Sequence, residues 1–240
     1  MQQRMRGGRK AERSLSTWAY PRLRAMSPRC HASPSLVNRA GLRVLAAAGR
    51  NDASVAGMLG LKGLRRANRH ERAGFALYGA AVAAARERYL YESLGVPDTL
   101  DGRFDLISLY AFLLIHRLRG LSEPGAALAQ AVFDAMFADM DMNLRELGVG
   151  DLSVGKRVRA MWEAFHGRAN VYSAALQAGD RLALEAALAR NVWRGGPPPV
   201  GSPAALARLV LAQAACLMTQ APAALASGEA RFMPAVEAVR

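Results

Sequence analysis

From residue 67 onward, apolar residues recur at spacings of three and four, the period of an amphipathic helix. No strictly alternating run is long enough to make a useful strand. Residues 67–93 set Phe75, Tyr78, Val82 and Tyr89 on one helical face, and Gly95 with Pro97 stops that helix. GVPDTLDGR (95–103) is a turn-rich loop. Phe104 to Arg119 forms a second, strongly apolar helix. Ser122 and Pro124 open a third, which runs to about Leu147 and ends at Gly148. After the loop 148–155, a fourth helix extends from about Val154 to Gln177, where Gly179 and Asp180 break it. A fifth reaches about Asn191. GGPPPVGSP (195–203) is a linker, and Ser202 with Pro203 caps a sixth helix through about Thr219. There is no internal repeat. The pattern predicts an all-α fold: a single irregular helical bundle over residues 58–240, behind a basic, poorly structured N-terminal extension at 1–57.

Charge sharpens that division. The 240 residues carry net +13. Residues 1–66 hold 14 basic and 2 acidic side chains, and residues 67–240 hold 18 and 17. A near-neutral body follows a basic stretch, so the pI of about 10.9 overstates any case for nucleic-acid binding by the whole chain, and nothing points to specific DNA recognition. Within the extension only Ser35 to Ala48 has helical character. Three readings of it stand side by side. Its Arg-rich, Ser-containing, acid-poor composition resembles a mitochondrial transit peptide. It also suits a basic arm for anionic lipid or RNA. The plainest reading is an unstructured tail, with Met58 as a natural start, because the arm lacks interleaved aromatics and periodicity.

At 52% apolar residues the chain has ample material for a core. Two cysteines, Cys30 and Cys216, exclude a disulfide framework, and Cys216 reads as a small core residue. The strongest apolar run, Leu106 to Ile115, is half the roughly 20 residues needed to span a bilayer. No secretory signal pattern is present.

Candidate chemistry is sparse. On the third helix Phe133, Phe137, Met140, Leu144 and Leu147 form one stripe. Asp134 and Asp141 flank it on one side, Asp139 and Glu146 on the other. No two of these Asp residues have the i, i+4 spacing that a shared Mg²⁺ needs, so a metal-dependent isoprenoid-synthase reading is set aside. Asp141 and Arg145 make an i, i+4 ion pair. Gly150 to Arg157 nearly spells a phosphate-binding loop, but Arg157 stands where Ser or Thr must hold Mg²⁺, and a helix precedes it where a strand should. Lys156, Arg157 and Arg159 near a helix N-terminus carry a small macrodipole cost, which makes them candidates for a binding surface, while a solvated face is the plainer reading. His31, His70, His116 and His166 have no metal-ligand spacing. The densest polar signal is Asp98, Thr99, Asp101, Arg103 and Asp105, of which Asp101 serves as helix cap. No catalytic constellation assembles, no metal ligand set emerges and no cofactor is implied.

Three segments carry a resemblance: GVPDTLDGRFDL (95–106), FDAMFADMDMNLRELGVGDLSVGKRVR (133–159) and AFHGR (164–168). Together they resemble the ubiquinol–cytochrome c chaperone family, over about Leu77 to Arg190. The resemblance implies an all-helical, non-enzymatic assembly factor for respiratory complex III. It implies action on newly made cytochrome b or another complex III subunit at the inner membrane, with a small partner protein and near the ribosome. The Ala- and Arg-heavy composition suggests a bacterium, which places the protein on the cytoplasmic face of that membrane as a peripheral component; in a eukaryote it would be the matrix side. The motif positions carried over as a client or partner surface are Asp98, Asp101, Arg103, Asp139, Asp141, Arg145, Lys156 and Arg157. A competing function is an RNA- or ribosome-associated helical protein that binds through the basic arm.

Overall fold

The apolar second helix is the middle of the fold. The computed structural model describes residues 53–240, with side chains from Arg69 onward. The expectations for residues 1–52, including helical character between Ser35 and Ala48, lie outside the described residues. The elements are α1 (Ala53–Ala85), α2 (Arg88–Glu92), α3 (Leu100–Arg119), α4 (Gly125–Glu146), α5 (Asp151–Ala178), α6 (Arg181–Val192), α7 (Ser202–Thr219), α8 (Pro222–Ser227) and α9 (Ala235–Ala238). Among the described residues every regular element is a helix, so the fold is all-α. A helix that is apolar all round belongs in the interior. Accordingly, every residue of α3 from Phe104 to Ile115 is buried, with α1, α4, α5, α6 and α7 packed around it.

Short connections make α3–α4 and α4–α5 antiparallel hairpins. Helix α1 runs parallel to α4. Gly74 abuts Ala131, and farther along both helices Tyr78 Oη donates to Asp139 Oδ2 at 2.6 Å. The C-terminal ends of α1 and α4 and the N-terminal ends of α3 and α5 therefore gather at one end of the bundle.

The α1–α4 contact corrects the predicted stripe. A Cβ on Gly74 would lie 2.5 Å from Ala131 Cβ, so the helices touch where no side chain intervenes. The face that α1 buries is Ala73, Leu77, Tyr78, Ala81, Ala84 and Ala85, and Phe75 is 49% exposed. Close approach selected small residues, and a pattern weighted by large apolar ones missed them. The predicted single helix over 67–93 is also broken. It stops at Ala85 and resumes at Arg88, and the Glu87 carboxylate between them accepts from Ala235 N at 2.6 Å.

Other boundaries moved for local reasons. Helix α3 starts four residues early because Thr99, not Asp101, is its cap: Gly102 N donates to Thr99 Oγ1 at 3.1 Å. Asp101 lies in the first turn, where a carboxylate suits the dipole. Helix α5 starts at Asp151, which puts Lys156 and Arg157 beyond its first turn. The dipole cost inferred for them is correspondingly weak, since it fades within one turn. Ser202 is a buried first residue of α7 and Gly201 is its cap. Leu147, the last member of the α4 stripe, is 57% exposed because it lies beyond the helix end. Cys216 is only half-buried.

Helix α7 is long and apolar enough to cross a membrane, with 18 residues at mean hydropathy 1.3. Its inward face nonetheless buries Leu206, Leu209, Val210 and Leu217 completely, against α3 and α6. Its buried Gln213 is satisfied by Met233, donating to the carbonyl at 2.7 Å and accepting from the N–H at 2.9 Å. This pair ties the C-terminal segment to the bundle.

Between α4 and α5 lies an aromatic cluster. Phe133 stacks near Phe137 and Phe165 at 4.7 and 5.8 Å between ring centroids, and Trp162 meets His166 edge-on at 4.0 Å. Burial, with help from Arg119, lowers the His166 pKa to about 4. The unfolded chain then binds the proton more readily than the folded one between pH 6.5 and about 4. Stability is present above that window and drains away as pH falls through it. Solvent screening leaves about 1–2 kcal/mol of this effect. Denaturant titrations at pH 7 and pH 4.5 should show the loss, and His166→Leu should flatten it. An unchanged pH dependence in that variant would assign the effect elsewhere.

Candidate functional site

The gathered end of the bundle holds most of the predicted positions. The chain leaves α2, turns through residues 93–99 and enters α3 at Thr99. Gly102 is compelled by this turn: a Cβ there would sit 2.0 Å from the Pro97 carbonyl oxygen. The tight turn brings Asp98 beside Arg103. Arg103 Nε donates to Asp98 Oδ1 at 2.6 Å and Nη2 to Oδ2 at 3.1 Å. The guanidinium holds the Asp98 carboxyl below its ordinary pKa. Both side chains remain more than half exposed.

This pair forms one wall of a cleft of about 860 Å³, lined also by Arg86, Arg88, Tyr91, Glu92, Val96 and Ile107. Arg88 forks onto Glu92 at 2.7 and 3.0 Å. Tyr91 Oη donates to the Ala85 carbonyl at 2.9 Å, and burial raises its pKa. Three guanidiniums thus face two carboxylates above a buried Val96 and Ile107. A surface of exchangeable ion pairs over an apolar floor suits a polypeptide partner.

The remaining predicted positions serve different ends. Asp101 is exposed on the first turn of α3. Asp139 is occupied within the bundle as the acceptor from Tyr78. Asp141 accepts from Arg145 Nε at 2.7 Å, the i, i+4 pair read from the sequence. Arg145 also donates to Asp151, so one guanidinium joins α4 to the start of α5. Asp134 is bound instead by Gln130, at 2.6 Å. The three aspartates of α4 are therefore directed to three separate partners. Lys156 and Arg157 are exposed on α5, with Leu152, Lys156 and Arg159 on one outward stripe. Apolar side chains share this end of the bundle: Leu100, Met142, Leu147 and Leu152 are 66, 56, 57 and 99% exposed.

One cluster was not singled out from the sequence. The Asp105 side chain is 2% exposed and lies between two arginines, with Arg168 Nη1 at 2.6 Å and Arg194 Nη2 at 2.7 Å. Arg194 adds Nε at 3.1 Å, a forked pair. Arg168 also sits over the Phe104 ring, 5.7 Å from its centroid. Burial pushes the Asp105 carboxyl up while both guanidiniums pull it down. Asp105 and Arg168 both stand in segments that carry the family resemblance, but nothing in their spacing shows that they meet.

Residues 92–232 match the ubiquinol-cytochrome C chaperone family. The chain belongs to that family. The family match starts at Glu92 rather than Leu77 and continues past Arg190 to Phe232, so it takes in α7 and α8 and leaves out α1. The chain is similar to the Cbp3 homolog from Brucella abortus, known from a crystal structure, with 38% identity and a TM-score of 0.66. That likeness covers 75% of this chain and 98% of the Brucella chain. It is also similar to ubiquinol-cytochrome-c reductase complex assembly factor 1 of Xenopus laevis, 24% identical over 120 residues. That match spans 50% of this chain and 60% of the frog protein's length. All eight predicted surface positions fall inside the family's span, as do Asp105, Arg168 and Arg194.

Proposed function

We propose that this chaperone-family chain is a non-enzymatic assembly factor for the ubiquinol–cytochrome c reductase complex. Its client is newly made cytochrome b, and it works as a peripheral protein on the cytoplasmic side of the inner membrane, or the matrix side in a eukaryote. The observation that carries this reading is family membership over the residues that build the exposed end of the bundle. The physical character of that end supports it. The Asp98–Arg103 and Arg88–Glu92 pairs are solvent-exposed, and water screens such pairs so that they contribute little to stability. They can open and re-pair with a partner at little cost. Exposed Leu100, Leu147 and Leu152 supply the apolar contacts that shield a client helix until its own partners arrive. Asp101, Lys156 and Arg157 form the charged rim of that surface, Asp139 ties α4 to α1, and Asp141 orients Arg145, which joins α4 to the start of α5.

The test is capture from gently solubilised membranes with a C-terminal tag, followed by mass spectrometry. Enrichment of cytochrome b is the expected result, and a small partner protein or ribosomal subunits in the same sample would extend it. Ribosomal proteins alone, without any subunit of the complex, would overturn the client assignment in favour of a ribosome-associated role.

A further inference from the structure

The stretch that opens the Gly/Pro-rich connection grips the loop that carries the docking surface. Trp193 Nε1 donates to the Gly95 carbonyl at 3.0 Å, across 98 residues of sequence. Arg194 forks onto Asp105, across 89 residues. Pro199 presses on Gly95 so closely that a Cβ there would lie 2.6 Å from the proline Cγ. Gly95 and Asp105 bracket the segment that contains Asp98, Thr99, Asp101 and Arg103. Within that segment the side chains of Asp98 and Arg103 are more than half exposed, so they anchor it little. The anchors are themselves secure. Trp193 is 5% exposed, and Asp105 is held from its other side by Arg168. The chain just beyond α6 thus reaches back across the fold and fixes both ends of the exposed turn.

We propose that Trp193 and Arg194 are positioning residues for the Asp98–Arg103 docking surface. The proposal rests on the function assigned above to that surface. Ordering the turn in advance lowers the entropy lost when a partner binds, which is how a rigid clasp raises affinity without touching the partner.

The experiment joins two readouts on the full chain. Hydrogen exchange reports the clasp directly, and capture of cytochrome b reports its use. Arg194→Ala should speed amide exchange at residues 95–103 about tenfold while α4 amides keep their protection. Trp193→Phe keeps the ring and loses only the N–H, so it should give a smaller rise in the same amides. It also serves should Arg194→Ala fold poorly. Arg194→Lys keeps the charge without the fork and should recover part of the protection. Capture should fall about fivefold in Arg194→Ala. In an Arg103→Glu background, Arg194→Ala should cause no further fall, because a clasp that acts through the surface is redundant once the surface is gone. Unchanged exchange at 95–103 in both Arg194→Ala and Trp193→Phe would overturn the clasp. Faster exchange with a fully additive loss of capture would overturn the positioning role. Should Arg103→Glu alone leave capture intact, the surface assignment fails, and exchange still decides whether the clasp exists.

Discussion

Asp105→Ala should cost this protein about 3 kcal/mol of stability, the largest single-residue effect expected from a polar position in the fold. The side chain is 2% exposed and neutralises two guanidiniums. Removing it leaves two cations in and around the core without their anion. Breaking a buried pair from one side costs about 3–5 kcal/mol, because the surviving charge stays desolvated. The lower end applies here, since Arg194 is 43% exposed and can turn to water. Arg168 is 11% exposed and has no such escape. Against a usual domain stability of about 5–15 kcal/mol, the loss is a large fraction of the total. Urea titration at neutral pH measures it. Asp105→Asn should fall between, since it keeps volume and an acceptor but not charge. A midpoint for Asp105→Ala within error of the native chain would show that the arginines rearrange freely and that the cluster is not a structural lock.

Arg103→Glu combined with Lys156→Glu should do the opposite: leave stability nearly untouched and reduce assembled complex about tenfold. Arg103 is 59% exposed in its side chain, and its pair with the equally exposed Asp98 is weakly stabilising. Lys156 lies on the outward stripe of α5. Neither residue supports the core, and both lie at the end of the bundle proposed as the docking surface, so a client that spans that end would meet both reversed charges. Like charges facing across an interface cost several kcal/mol, more than enough for a tenfold loss. The measurement is the level of assembled ubiquinol–cytochrome c reductase in cells whose own copy is replaced by the double variant, with a melting curve of the purified protein beside it. Normal assembly would remove this end of the bundle as the docking surface. A collapsed melting curve would show that the substitutions act on folding.

The fate of particular residues shows how much of this was legible in the linear chain. The helices from Phe104 onward followed from apolar spacing because each carries a stripe of large side chains, and Gly148 and Gly179 lie just past helix ends as read. The inward face of α1 was legible only in part: Tyr78 lies on it as expected, but the contact with α4 is made by Gly74 and alanines, whose value lies in what they lack. The short helices α8 and α9 escaped because a turn or two of helix has no periodicity to detect. Asp98 and Arg103 were singled out as polar residues crowded into a turn, and they do form a pair. Asp139 was singled out as a carboxylate flanking the apolar stripe of its helix and as a position of the family resemblance, and it belongs to the packing of α1 against α4.

The amino-acid sequence by itself determined the all-helical class, the order of the major helices, the division of charge between the extension and the body, and the family. All of these are local or additive properties: period, composition, and motifs read along one line. Only the tertiary structure decided that α3 is the axis of the bundle, that one end collects the exposed leucines and the charged cleft, and that Asp105 meets Arg168 and Arg194. Those depend on which distant segments come within hydrogen-bonding reach. A buried carboxylate and its cations are chosen by a three-dimensional neighbourhood, and no spacing along the chain encodes a partner 89 residues away.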